Sequence, residues 1–159
     1  MQGRRHLLHI FDQCAIYLLI AGSYTPFMTA LFHGSKSAWS VGVLVYIWTL
    51  CALGVGMEII WHKARAVEPW IKFASLTLYV MMGWSAAWPP LFRDLRAAME
   101  PLAFKLLWGG GLAYTLGVPW FVRNRGLDHA VWHLFVLLGS SMHFASLWMA
   151  VTSSLRGTL

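Results

Sequence analysis

Five long apolar stretches, separated by short polar gaps, occupy most of this 159-residue chain. They run from about Ile10 to Phe32, Trp39 to Trp61, Trp70 to Trp88, Pro101 to Val122 and His129 to Val151. Each is near the roughly 20 residues that cross a hydrocarbon core. In lipid, backbone polar groups must be paired internally, which only helices and closed barrels achieve. Strand-like alternation recurs nowhere, so the stretches predict helices and not a barrel. The expected fold class is all-α: a polytopic transmembrane helix bundle of five spans, with residues 1–159 as a single transmembrane domain.

Composition supports this solvent assignment. Hydrophobic residues make up 58% and charged residues 11%, against about 25% charged in a soluble domain. Mean hydropathy is +0.60. The loops are too short for a soluble domain, and Arg93 to Glu100 reads as an amphipathic interfacial segment. Arg4-Arg5 and the apolar run to Ala21-Gly22-Ser23 mimic a signal peptide. Asp12 and Pro26 within that run, and the spans after it, mark it as a retained helix.

Twelve Lys+Arg against six Asp+Glu give a net charge of +6. The basic residues sit in the gaps between spans, which suits anionic headgroups and topology signals. No basic run interleaved with aromatics is long enough for a nucleic-acid patch, so membrane lipids are the expected partners. With a cytoplasmic N-terminus the inner side holds Arg4, Arg5, Lys63, Arg65, Lys72, Arg123 and Arg125, and the outer side Lys36, Arg93, Arg96, Lys105 and Arg156. That bias favours N-in. Cys14 and Cys51 both lie in apolar stretches and suggest no disulfide framework.

Span parity brings Asp12, Glu58, His62, His129 and His133 toward one membrane face, the cytoplasmic one on this orientation. An ionisable group inside a span costs about 2.5–3.5 kcal/mol on insertion scales, so this layer is the default functional site. His129 and His133 are four apart and project from one helix face. Two imidazoles at that spacing are a common grip for a transition metal, zinc above all. The spacing alone is also compatible with interfacial histidines. Asp12 is compatible with a ligand or water-holding carboxylate and with a helix-start carboxylate level with the headgroups. Glu58 and His62 are reserve ligands or a pair that snorkels to water. His143 lies about 15 Å along the helix from His133, too far for the same ion; it lines a cavity or packs helices. Gly109-Gly110-Gly111, in an apolar helix with no Lys-Ser/Thr after it, reads as a packing surface.

The string Phe11-Asp12, then Ile16-Tyr17-Leu18-Leu19-Ile20-Ala21-Gly22-Ser23-Tyr24-Thr25-Pro26-Phe27, resembles the hallmark of the hemolysin III proteins, which belong with the progestin and adipoQ receptors. Leu78-Tyr79 with Met82-Gly83-Trp84, then Gly110-Gly111-Leu112 with Tyr114-Thr115 and Gly117, resemble later spans of that family. His129-Ala130-Val131-Trp132-His133 with Phe135-Val136 resembles its last-span motif. The matches run in order along nearly the whole chain.

The resemblance implies a fold similar to alkaline ceramidases, with seven transmembrane helices and a cytoplasmic N-terminus. It implies a zinc cofactor near the cytoplasmic side on three histidines, two of them matching His129 and His133. A family aspartate, matching Asp12, holds the zinc-bound water. The chain departs from the pattern in having five spans. It reads as a fragment or mis-started product, or as a genuine short form, starting just before the family's third helix and without the segment that carries the third histidine. Gln13 stands where bacterial relatives usually have a histidine, and His9 is the residue that would have to substitute as a ligand.

Three functions follow as expectations. The first is a zinc-dependent membrane hydrolase of a lipid amide or ester, with Asp12 catalytic and Ser23, Tyr24 and His143 as candidate substrate or cavity contacts. The second is a pore-forming or cytolytic membrane protein, for which these charge-poor spans offer little lining. The third is a non-catalytic, receptor-like membrane-homeostasis protein. A bacterial inner membrane is the expected location.

Overall fold

Apolar runs bounded by prolines and polar gaps become six α-helices in the computed structural model, which describes residues 2–32, 37–63, 69–123 and 125–156. The gap positions 33–36, 64–68 and 124, and the side chains of His6, His9 and His62, lie outside the described residues. The helices are α1 (Gln2–Leu31), α2 (Ser37–Lys63), α3 (Pro69–Gly83), α4 (Pro89–Ala98), α5 (Pro101–Arg123) and α6 (Asp128–Arg156), with a 3-10 turn at Trp84–Ala87 after α3. Three of them open on proline, whose missing N–H costs nothing in a first helical turn.

Ile10–Leu31 in α1, Trp39–Trp61 in α2, and α6 are long and apolar enough to cross a bilayer. The other two stretches read as spans fall on α3, whose apolar helix Phe73–Ala87 is shorter, and on α5, which carries Lys105 and three successive glycines. The all-α polytopic architecture is thus present. Pro26 lies inside α1. In the turn before it, Ser23 Oγ donates to the Ile20 carbonyl at 2.8 Å and Thr25 Oγ1 to the Ala21 carbonyl at 3.3 Å.

The chain gathers into two compact units, Met1–Ser85 and Ala86–Leu159. In the first, the buried residues described in α1 are Gln13, Tyr17, Ala21, Tyr24, Phe27 and Met28, and those of α2 are Ser40, Val43, Ile47, Cys51, Gly54 and Glu58. Steps of three and four make each set one stripe on its helix. The α1 and α2 stripes meet where the Tyr17 ring covers Gly54, so closely that a Cβ there would run into it. Trp48 Nε1 donates to Thr25 Oγ1 at 3.1 Å farther along. From α3, buried Ser75, Tyr79 and Met82 complete the core.

In the second unit, α5 and α6 pack through small residues. Gly117 lies under Trp132 and Phe135, Gly139 under the Tyr114 ring, and Gly110 under the His143 ring. Ser146 Oγ donates to the Ala103 carbonyl at 2.7 Å. These contacts progress away from the connecting turn, so the helices are antiparallel. Small residues let backbones approach closely in lipid, where no hydrophobic effect drives association. The Gly109-Gly110-Gly111 segment serves this packing in part: Gly109 and Gly110 meet α6, and Gly111 faces open space. Helix α4 is amphipathic, as its spacing predicts. It buries Leu91 and Leu95, and exposes Arg93 and Arg96. Phe92 packs edge-on to Phe104 and Trp108 of α5.

Candidate functional site

The two histidines singled out by spacing meet. His129 and His133 sit on the first two turns of α6, with their Nε2 atoms 3.0 Å apart and the ring planes at 88°. Both side chains are exposed. Nitrogens about 2.0–2.1 Å from a tetrahedral zinc stand roughly 3.3 Å apart, so the pair fits two corners of such a site within a few tenths of an ångström. Among the described residues, no group of three or more His, Cys, Asp and Glu side chains is placed to hold an ion.

The turn before the pair is tightly organised. Gly126 adopts φ +51°, which a side chain would disfavour. The Asp128 N–H donates to the Arg125 carbonyl at 2.9 Å, and the Arg125 N–H donates back to Asp128 Oδ2 at 2.9 Å. Arg123, the last residue of α5, adds a two-pronged contact: Nε to Oδ2 at 2.7 Å and an Nη to Oδ1 at 2.6 Å. Arg123 and the Arg125 N–H thus satisfy both oxygens of the Asp128 carboxylate and hold its negative charge. The positive end of the helix dipole favours the same charge. Sequence reading missed Asp128; an acidic residue opening an apolar run was the available signal.

Asp12 belongs to the first unit and is half-buried on α1. Its neighbour Gln13 is buried and joined to α3: Tyr79 Oη donates to the Gln13 carbonyl at 3.0 Å and to Oε1 at 2.8 Å. Tyr79 also packs on Tyr17, ring centroids 4.3 Å apart. Glu58, one turn beyond Gly54, is 4% exposed and accepts a hydrogen bond from Ser75 Oγ. This corrects the snorkelling reading of Glu58, because α3 brings a buried donor to the carboxylate. Gln13, Tyr17, Glu58, Ser75 and Tyr79 therefore make a polar layer inside the first unit.

The remaining candidates are engaged with backbone. Tyr24 Oη donates to the Met82 and Gly83 carbonyls at 3.0 and 3.1 Å, and Ser23 Oγ is on the Ile20 carbonyl. His143 Nε2 lies 3.0 Å from the Leu107 carbonyl, as its donor, and the ring packs on Tyr114 with centroids 5.5 Å apart.

The model of haemolysin-III-related proteins matches residues 2–144, a range that holds Asp12, both paired histidines and the Tyr24 and Tyr79 segments. The chain belongs to the haemolysin-III-related family. It is 40% identical over 141 residues to Hemolysin-3 of Bacillus cereus, covering 87% of this chain and 58% of that one. It is 34% identical to a Hemolysin-3 homolog of Bacillus subtilis (strain 168), covering 88% and 61%. Monocyte to macrophage differentiation factor of Homo sapiens is 30% identical, covering 90% and 55%. This haemolysin-III-related chain thus spans between 55% and 61% of the length of these relatives. No solved structure matches it. Family membership and the long apolar helices make it an integral membrane protein.

Proposed function

We propose that this chain carries part of the zinc site of a membrane hydrolase acting on a lipid amide or ester. The observation that carries the reading is the meeting of the His129 and His133 Nε2 atoms on one face of α6. Zinc, when bound, acts as a Lewis acid and brings a coordinated water's pKa to roughly 7. His129 and His133 would hold the ion through their Nε2 lone pairs. Asp12 takes its role from the family resemblance alone: its carboxylate would orient or deprotonate that water. The orientation that accompanies this reading has a cytoplasmic N-terminus in a bacterial inner membrane.

Metal analysis of detergent-purified protein tests the ligands. Zinc should accompany the wild type and be lost in His133→Ala; equal metal in both overturns the reading. Asp12→Asn tests the second role. It should retain the metal and lose fatty-acid release from lipid amides or esters.

A second reading, a cytolytic membrane protein, is favoured by the name Hemolysin-3 of a relative 40% identical to this chain. Dye release from liposomes decides it. Leakage unchanged by His133→Ala and Asp12→Asn would support lysis independent of the histidine pair.

A further inference from the structure

His129 lies one residue into α6, and the opening turn of a helix frays unless something holds it. The His129–His133 meeting exists only while that turn is helical, because the 3.0 Å Nε2 separation spans one helical turn. The holding group is the Asp128 carboxylate. It closes the loop on the Arg125 N–H and is gripped from the end of α5 by both prongs of Arg123. The Asp128 side chain is 8% exposed and that of Arg123 is 59% exposed. The carboxylate is thus the enclosed half of the clamp and the guanidinium its outer half.

We infer that Asp128, locked by Arg123, is the positioning residue for the His129–His133 pair: it keeps the first turn of α6 wound so that both imidazoles meet one ion. The inference rests on the metal reading of that pair. Asp128 bonds Arg123 and Arg125 and acts on the pair through the backbone of the residue that follows it. Charge and geometry are both required. A lysine at 123 provides a point charge and no planar fork, and a glutamine there provides one prong and no charge.

The test is cobalt(II) binding to the full chain in detergent, read by its visible absorption and by competition with a chelator, with circular dichroism recorded on each sample. Asp128→Ala and Arg123→Gln should each weaken binding roughly three- to tenfold, with helical content unchanged. The double variant should be no weaker than Asp128→Ala alone, and Arg123→Lys should recover part of the loss. At saturating cobalt the band shape of Asp128→Ala should shift toward that of His129→Ala, a change that loss of stability alone does not produce. Wild-type affinity in Arg123→Gln and Asp128→Ala, with binding lost in His133→Ala, overturns the positioning role and leaves the metal reading standing. Should Asp128→Ala lose its helical signal, Arg123→Gln decides, since its exposed side chain can be replaced without emptying the core. Equal binding by wild type and His133→Ala, including none by either, overturns the metal reading and this inference with it.

Discussion

The Tyr79 hydroxyl on α3 donates to two oxygens of Gln13 on α1, the main-chain carbonyl at 3.0 Å and the side-chain Oε1 at 2.8 Å. It closes a buried link beside Asp12, across 66 positions of sequence. A second link between the same helices, from Tyr24 to the Met82 and Gly83 carbonyls, joins two of the segments by which the chain resembles its family.

Removing the first link should loosen the α1–α3 pairing. Tyr79→Phe keeps the ring on Tyr17 and deletes the donor. Interhelical hydrogen bonds in membrane proteins contribute about 0.6 kcal/mol, up to about 1.7, and a loss in that range is expected in denaturant unfolding followed by tryptophan fluorescence. Gln13→Leu in the same background should restore part of it, since no buried amide is then left without its donor. A Tyr79→Phe chain as stable as wild type would show the link to be energetically idle.

The glycines divide by what lies above them. A Cβ at Gly54 meets the fully buried Tyr17 ring, and one at Gly117 meets Trp132 and Phe135 at 2.8 Å. Gly54→Ala and Gly117→Ala should each destabilise by about 1–3 kcal/mol, the usual cost of overpacking. Gly56 and Gly111 have nothing within 4 Å. Alanine there should be neutral or stabilising by up to about 1 kcal/mol, from helix propensity. Melting temperatures of the four variants, side by side, check the division.

His143 distinguishes packing from chemistry. Its ring fills the space above Gly110 and its Nε2 is bonded to the Leu107 carbonyl. His143→Ala should lower stability by about 2–4 kcal/mol through the cavity left behind and leave metal content at the wild-type level. A variant that folds as stably as wild type and loses metal would assign His143 to the ion.

Ser75 and Ser85 compare a buried donor with an exposed one. Ser75 donates to the buried Glu58 carboxylate, whereas Ser85 donates to the Met81 carbonyl one turn back, with the bond exposed. Ser75→Ala should cost about 1–3 kcal/mol and Ser85→Ala less than about 0.5. Equal thermal stability of the two would mean that the Glu58–Ser75 bond adds nothing in the folded chain.

Much of the histidine pair was legible because its geometry is local. Spacing of i and i+4 sets two side chains on one helix face whatever surrounds the helix, and His129 and His133 meet as that rule requires. Asp128 escaped notice, though it too is local, because an acidic residue beside a histidine draws less attention than the histidine itself. Glu58 was misread for a different reason. Its i, i+4 partner His62 suggested a water-facing pair, while the residue that bonds it, Ser75, lies on the next helix.

By itself the sequence determined the solvent of this protein and its class of secondary structure. Long apolar runs can cross lipid only with their backbone bonds satisfied internally, and that condition needs no knowledge of partners. It also set the phase of each helix and the pairing of His129 with His133. Only the tertiary structure decided that Tyr79 bonds Gln13, that Tyr17 covers Gly54 and that Arg123 grips Asp128. Those contacts depend on which helix faces come together, and the hydropathy of a membrane helix does not encode this, since lipid-facing and core-facing positions are equally apolar.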